Sequence, residues 1–112
     1  MQKLEIIGGK KLFGTVIISG SKNASLPILA ATLLSDKVYI QNLPKVRDIE
    51  TMLLLLKSLG SDIKNTVKKG VFIQNSKKIK TFASYSLVKT MRAGILVLGP
   101  LLAKYGKAKV SL

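Results

Sequence analysis

The segment Gly20-Ser21-Lys22-Asn23 combines the residue types that bind anions at the start of a helix. It follows a β-rich run from Leu12 to Ile18 and opens a series of helix-forming residues. Where a strand gives way to a helix, free backbone N–H groups, the positive end of the helix dipole and a lysine ammonium can converge on a phosphate or carboxylate. The spacing is neither that of a P-loop nor that of a dinucleotide-binding fingerprint. The alternative is a helix that Ser21 caps and that continues with a solvent-exposed Lys22, because capped corners are common.

Arg92 is a second candidate for anion binding. It stands in an otherwise apolar segment from Met91 to Ala103, with Lys89 three residues before it and no acidic residue nearby. An unpaired charge inside a protein costs several kcal/mol as an order of magnitude. Arg92 therefore either extends its guanidinium to solvent or meets an anion, and the sequence leaves both readings open.

The composition removes several classes of chemistry. The chain contains no Cys and no His, so it has no disulfide, thiol nucleophile, Ser-His-Asp triad or Cys/His zinc site. The acidic residues stand near predicted helix starts or between elements, with no pair spaced for general acid–base catalysis. They are Glu5, Asp36, Asp48, Glu50 and Asp62. We expect no metal site and no complete catalytic set.

Charge and hydropathy suggest a small, basic, globular chain. It has 112 residues and a formal net charge of +14, and all but two of its 19 basic residues are lysines. The lysines are scattered and the aromatic residues stand apart, which favours a solvated surface over a nucleic-acid-binding module, the alternative that the charge allows. No signal-peptide core or membrane-length apolar stretch is present, so we expect a cytoplasmic protein without membrane contact.

The pattern of apolar residues and breakers predicts alternating strands and helices. Strands are predicted at Leu4 to Ile7, Leu12 to Ile18 and Val38 to Ile40, and after Gly106. A hairpin is predicted where Ile63 and the run from Val71 to Ile73 flank Lys68-Lys69-Gly70.

Three helices separate these strands. The first runs from Lys22 to Leu34, with Pro27 tolerable only near its first turn. In the second, Asp48 is the predicted cap and Gly60 the stop. The third opens at Ser84 or Ser86 and extends towards Ala103, with Pro100 kinking or ending it. This order is typical of an α/β fold, and the last strand, which has no successor, indicates a truncated unit.

A long series of residues resembles a known family. The series begins with Gly14-x-Val16-x-Ile18-Ser19-Gly20-Ser21-Lys22-Asn23-Ala24-x-Leu26-Pro27 and continues with Ile40-Gln41-Asn42-Leu43-Pro44-Lys45-Val46-x-Asp48, Val88-Lys89-Thr90-Met91-Arg92-Ala93 and Leu98-Gly99-Pro100-Leu101-Leu102-Ala103. In this order it resembles the N-terminal segment of the UDP-N-acetylglucosamine 1-carboxyvinyltransferases. The resemblance extends over effectively the whole chain, whereas members of that family are several times longer.

The resemblance implies an α/β architecture, part of an inside-out α/β barrel built of βαβαββ repeats and truncated here. Residues 1–21 would then supply strands that pair with a missing second domain. Residues 22–112 would form an incomplete first, catalytic domain. A complementing C-terminal chain is a possible partner.

The resemblance also assigns roles to the candidate residues. Lys22 and Asn23 match positions that bind phosphoenolpyruvate, and Arg92 matches the arginine at the UDP-N-acetylglucosamine site. The implied reaction moves the enolpyruvyl group to the sugar 3-hydroxyl without metal or cofactor. The proton donor and the base lie beyond Leu112 in this family, so we expect the chain alone to be inactive.

Two departures bear on this resemblance. Gly94 stands where the family usually has Ser, and glycine within a helix costs about 1 kcal/mol relative to alanine. The related shikimate-pathway enolpyruvyl transferases, the second enzymatic alternative, have Ser and Arg at the places of Asn23 and Pro27. Those two residues therefore favour the sugar-nucleotide family.

Overall fold

The computed structural model describes all residues from 1 to 112 and contains short helices alternating with strands. The α-helices are α1 (Lys22–Ala31), α2 (Arg47–Leu59), α3 (Tyr85–Val88) and α4 (Leu98–Tyr105). The 3-10 helices are Thr32–Leu34 and Arg92–Val97. The strands are β1 (Lys37–Ile40), β2 (Asp62–Thr66), β3 (Gly70–Gln74), β4 (Phe82–Ala83) and β5 (Lys109–Val110). The mixed content confirms the predicted α/β class.

Helix α1 begins at Lys22, as the sequence predicts. Ser21 has extended backbone angles, and its Oγ accepts a hydrogen bond from the backbone N–H of Ala24 at 3.3 Å, which caps the helix. The expectation that Pro27 lies near the first turn is wrong, because Pro27 is the sixth residue of α1. Its ring removes one donor to the carbonyl of Asn23. Both residues are exposed, so water can satisfy that carbonyl.

Helix α2 carries an apolar stripe that faces the core. The buried positions recur at helical spacing and are Ile49, Met52, Leu55, Leu56 and Leu59. The prediction that Asp48 caps this helix is wrong. The cap is Val46, which offers no side-chain acceptor, and Asp48 lies one residue inside the helix start. Gly60 ends α2 with φ 114°, a left-handed conformation that glycine adopts without a steric penalty.

The three long strands form one antiparallel sheet in the order β1-β3-β2. The predicted hairpin is confirmed, since β2 and β3 are paired and the backbone N–H of Gly70 donates to the carbonyl of Val67 at 3.1 Å. Lys68 and Lys69 have φ of 57° and 52°. Two consecutive positive φ angles are what a type I′ hairpin turn requires.

The core lies where α1 and α2 pack together with the sheet and with α4. A buried polar side chain, Asn75, joins three segments that connect these elements. Its amide donates to the carbonyls of Thr32 at 2.7 Å and Ser35 at 2.8 Å, and its Oδ1 accepts from the hydroxyl of Ser61. These bonds satisfy a polar group that would otherwise destabilise the interior.

The single helix predicted from Ser84 or Ser86 towards Ala103 is wrong, because the segment is divided into α3, the 3-10 helix and α4. Met91 breaks it with an extended backbone. Pro100 is the third residue of α4, where its missing N–H would have no helical acceptor, so it neither kinks nor ends the helix. Gly94 allows close packing, since a Cβ there would lie 2.9 Å from Cγ1 of Val88.

The strands predicted at Leu4 to Ile7 and Leu12 to Ile18 are absent, and no residue before Lys22 lies in a helix or strand. These residues have no neighbouring strand to complete their backbone hydrogen bonds. The strand predicted after Gly106 is present as β5, but it has a partner, since it pairs in parallel with β4. No helix here is both long enough and apolar enough to cross a membrane.

Candidate functional site

The Lys22 corner, which we define as residues 20–23, lies at the start of α1. Ser21 caps the N–H of Ala24, while the N–H groups of Lys22 and Asn23 have no acceptor within the helix. Both side chains are exposed. The corner therefore presents two backbone donors, an amide and an ammonium at the positive end of a ten-residue helix. This arrangement suits a phosphate or a carboxylate.

The ammonium of Lys22 forms an ion pair with Asp48. The Nζ of Lys22 lies 3.3 Å from Oδ2 of Asp48, and the two side chains are 47% and 36% exposed. Asp48 stands in the first turn of α2, so the ion pair joins the starts of two helices. The partial exposure means that solvent screens the pair, and an incoming anion can reach the ammonium. Sequence reasoning assigned Asp48 to capping and missed this contact, because the two residues are brought together only by the packing of α1 on α2.

The backbone behind the corner is packed tightly. Gly20 lies against the turn from Asn42 to Pro44, and a methyl group at position 20 would overlap the backbone oxygen of Asn42. The same methyl group would lie 3.1 Å from Cδ of Pro44. Only glycine fits at position 20, because the backbone of Asn42 lies too close to leave room for a side chain. No local pattern in the sequence signals this contact, because Gly20 and Asn42 belong to separate parts of the chain.

The second candidate, Arg92, lies on a 3-10 helix that packs against α1. It is exposed at the start of the 3-10 helix and lines a groove of about 420 Å³. Lys89 and Tyr85 line the same groove, with the Lys89 Nζ 5.9 Å from the centre of the Tyr85 ring. No acidic side chain lines it. Arg92 forms no ion pair in this structure, so its guanidinium is available to an anion.

A larger groove, of about 710 Å³, runs between α2 and the β2–β3 hairpin. It has an apolar floor that includes Ile49, Leu53 and Val71. Neither Lys22 nor Arg92 lines it, so the larger concavity does not coincide with the residues that could do chemistry. We place the candidate site by charge, exposed donors and helix starts rather than by cavity size. Lys22 and Asn23 are neighbours at the start of α1, and Arg92 lines a groove whose lining residues do not include them.

Comparisons with known proteins agree with the resemblance drawn from the sequence. Residues 6–112 match the family described as EPSP synthase (3-phosphoshikimate 1-carboxyvinyltransferase). The UDP-N-acetylglucosamine 1-carboxyvinyltransferase of Pelagibacter ubique is 72% identical over 113 residues. The enzyme of the same name from Rickettsia canadensis is 56% identical over 115 residues. Each match covers all of this chain, and the chain spans 27% of the length of each relative.

A solved structure supports the fold. The enolpyruvyl transferase NikO from Streptomyces tendae superposes with a TM-score of 0.70 over 88% of this chain and 23% of that protein, at 21% sequence identity. At this identity the likeness concerns the fold alone. The family match, together with the two matches that cover the whole of this chain, overturns the alternative of a small nucleic-acid-binding module.

Proposed function

The chain belongs to the EPSP synthase family, and from this premise we propose that it is the N-terminal part of a UDP-N-acetylglucosamine 1-carboxyvinyltransferase. The proposed reaction transfers the enolpyruvyl group of phosphoenolpyruvate to the 3-hydroxyl of the sugar and releases phosphate. Because the chain spans 27% of its relatives, the reaction is proposed for the whole enzyme. A role in peptidoglycan synthesis, with the linked processes of cell shape and division, and a cytoplasmic location go with this proposal.

The observation that carries the proposal is the position of Lys22 at the capped start of α1. A phosphate at the corner would receive hydrogen bonds from the ammonium and from backbone N–H groups. Hydrogen bonds to charged groups contribute about 1.5–3 kcal/mol each, about twice the value for neutral pairs. Asn23 adds an amide that can donate to the carboxylate or to the sugar. Asp48 keeps the ammonium at the corner when no anion is bound.

Arg92 is proposed to bind UDP-N-acetylglucosamine. Its groove contains a second cationic side chain, Lys89, and no acidic side chain, which favours an anionic ligand such as a diphosphate. Arginine is well suited to phosphate because its planar donors bind two oxygens at once.

Residues 1–21 are proposed to pair with a further domain, supplied by a continuation of this polypeptide or by a complementing C-terminal chain. The support is the exposure of apolar side chains in this segment, including Leu4, Ile7 and Ile17 at 88%, 89% and 93%. A row of apolar side chains with unpaired backbone groups is stabilised when another strand covers it.

The proposal is tested in a hybrid enzyme, in which this chain replaces the 113 matched residues of the Pelagibacter ubique relative. We expect Lys22→Ala to lower turnover about a hundredfold or more, since removing one donor to a developing charge commonly has that effect. The matched control is Lys64→Ala, an exposed lysine on β2 without an ion pair, which should retain turnover within about twofold.

The same assay separates the two substrate sites. Arg92→Ala should raise the KM for UDP-N-acetylglucosamine about tenfold, equivalent to one lost charge-assisted contact, and leave the KM for phosphoenolpyruvate unchanged. Turnover of the Lys22→Ala hybrid at the unsubstituted rate would contradict the phosphoenolpyruvate assignment. An equal rise in both KM values for Arg92→Ala would contradict the assignment of Arg92 to the sugar nucleotide.

A further inference from the structure

The turn from Asn42 to Pro44 supports the Lys22 corner through its backbone. Gly20 touches the carbonyl of Asn42 so closely that no side chain fits between them. The position of this carbonyl therefore sets the position of Gly20. Ser21 and Lys22 follow directly, so any movement of the carbonyl is transmitted to the first residue of α1.

Asn42 holds that carbonyl in place by adopting an unusual conformation. Its φ is 62°, in the left-handed region that few residues other than glycine adopt, and asparagine is among the exceptions. Its side chain is exposed and forms no hydrogen bond in this structure. What residue 42 contributes is thus a backbone conformation and not a side-chain contact.

The hairpin turn fixes the same residues from the other side. The N–H of Asn42 donates to the carbonyl of Lys68 at 3.1 Å, and the N–H of Leu43 donates to the carbonyl of Lys69 at 3.0 Å. Lys68 and Lys69 have positive φ themselves. A continuous set of backbone contacts therefore runs from the hairpin turn through Asn42 to Gly20 and the Lys22 corner.

We propose that Asn42 is a positioning residue for the anion site at Lys22. This inference rests on the proposed function of Lys22 and concerns the phosphoenolpyruvate side of the site alone. Residue 42 acts through its left-handed backbone, which places the carbonyl against Gly20 and so orients the first N–H groups of α1 and the lysine after the cap.

The test compares three substitutions in the hybrid enzyme. Asn42→Gly keeps the left-handed conformation accessible, and we expect a KM for phosphoenolpyruvate within about twofold of the unsubstituted value. Asn42→Val opposes this conformation, because a β-branched residue with positive φ is sterically disfavoured, and should raise that KM about tenfold. Asn42→Ala should fall between them. The KM for UDP-N-acetylglucosamine should stay within about twofold in all three.

The outcomes separate this inference from the proposed function. If Lys22→Ala lowers turnover as expected and Asn42→Val leaves the KM for phosphoenolpyruvate unchanged, the positioning role is wrong and the site stands. If Asn42→Gly is as impaired as Asn42→Val, the side chain rather than the backbone matters and the inference is overturned. If Lys22→Ala has no effect, the proposed function itself fails. Circular dichroism of each variant identifies misfolding. If Asn42→Val misfolds, the inference is tested by the KM for phosphoenolpyruvate of Asn42→Ala, which should exceed that of Asn42→Gly; equal values would overturn it.

Discussion

Residues 20–75 and residues 76–112 are built differently, although each contains a candidate site. The first region has the two long helices and the three-stranded sheet. The second has two-residue strands, a four-residue helix, a 3-10 helix and α4. Seven of the nine large side chains that are fully buried belong to the first region. Lys22 is thus held by extensive packing, whereas Arg92 lies on short elements with little buried surface of their own.

The two sites therefore depend on different kinds of support. The Lys22 corner has a side-chain cap, an ion pair to α2 and a backbone contact to the Asn42 turn. The start of the 3-10 helix at Arg92 has no side-chain cap. We therefore expect the corner to be preorganised for a small anion. We expect the Arg92 groove to be ordered chiefly by its ligand or by neighbouring parts of the whole enzyme.

Gly20→Ala should have the largest effect, because it breaks the support of the first region at its tightest contact. The added methyl group meets the backbone oxygen of Asn42, which cannot move without disturbing the hairpin turn. Overpacking of this kind typically costs 1–3 kcal/mol, so we expect the free energy of unfolding of the hybrid enzyme to fall by about that amount. Urea denaturation followed by circular dichroism measures it.

The matched control for that substitution is Gly99→Ala in α4. A Cβ at position 99 meets nothing within 4 Å, and alanine favours the helix by about 0.5–1 kcal/mol. Gly99→Ala should therefore be neutral or stabilising. Equal losses of stability for the two variants would show that the contact between Gly20 and Asn42 is not special.

Hydrogen exchange measures the difference in stability between the two regions without any substitution. Amides in the middle of α2, near Leu55 and Leu56, should exchange slowly, because both side chains are fully buried. Amides of the 3-10 helix Arg92–Val97 should exchange about tenfold faster or more, since 3-10 hydrogen bonds have poorer geometry and the segment is short. Mass spectrometry of peptides from the hybrid enzyme measures amide exchange in both regions in one experiment. Equal protection of α2 and the 3-10 helix would contradict the inference that the first region is more firmly packed than the second.

UDP-N-acetylglucosamine should reduce the difference in exchange rate between α2 and the 3-10 helix Arg92–Val97. If the ligand orders the Arg92 groove, adding it should slow exchange in the 3-10 helix and leave α2 unchanged. Slowing confined to α2 would show that the ligand acts elsewhere.

The sequence was most informative where local chemistry decides the structure. Ser21 as a cap, Gly60 as a stop and the Lys68-Lys69-Gly70 hairpin could all be read from residue types, because each acts within a few residues of itself. The segment from Ser84 to Ala103 could not. Its apolar residues suit one long helix, and the break at Met91 arises from packing of the pieces against α1, α2 and each other.

The residues of the candidate site could likewise be predicted only where local residue types or the family resemblance point to them. Lys22, Asn23 and Arg92 were identified from residue types and from the family resemblance. Asp48 was not, because its contact with Lys22 spans 26 positions and forms only when α1 lies against α2. Long-range contacts of this kind leave no local pattern in a single sequence. The strands predicted before Lys22 are absent from this structure, and their pairing with a further domain stays a proposal.

The smallest expected effect concerns an ion pair that joins the two regions at the surface. The Nζ of Lys104 in α4 lies 3.0 Å from Oδ1 of Asp36, which precedes β1. The hydrogen bond from Lys104, followed by its charge and those of Lys77 and Lys37, lowers the pKa of Asp36 below 3.8. The carboxylate is 88% exposed, so solvent and salt screen the pair.

The sign of the pH dependence follows from that lowered pKa. Because folding depresses the pKa, the pair stabilises the protein above pH 3.8, the unfolded value, and this contribution is lost as the pH falls through the lower folded value. Asp36→Asn should therefore lower the melting temperature slightly at pH 6, and the difference should shrink as the pH falls below about 3.8 and also in 1 M salt. Asp62→Asn, which removes an exposed carboxylate without an ion pair, is the control. A difference for Asp36→Asn that is constant from pH 6 to pH 3, or unaffected by salt, would mean that Asp36 links the two regions by something other than its charge.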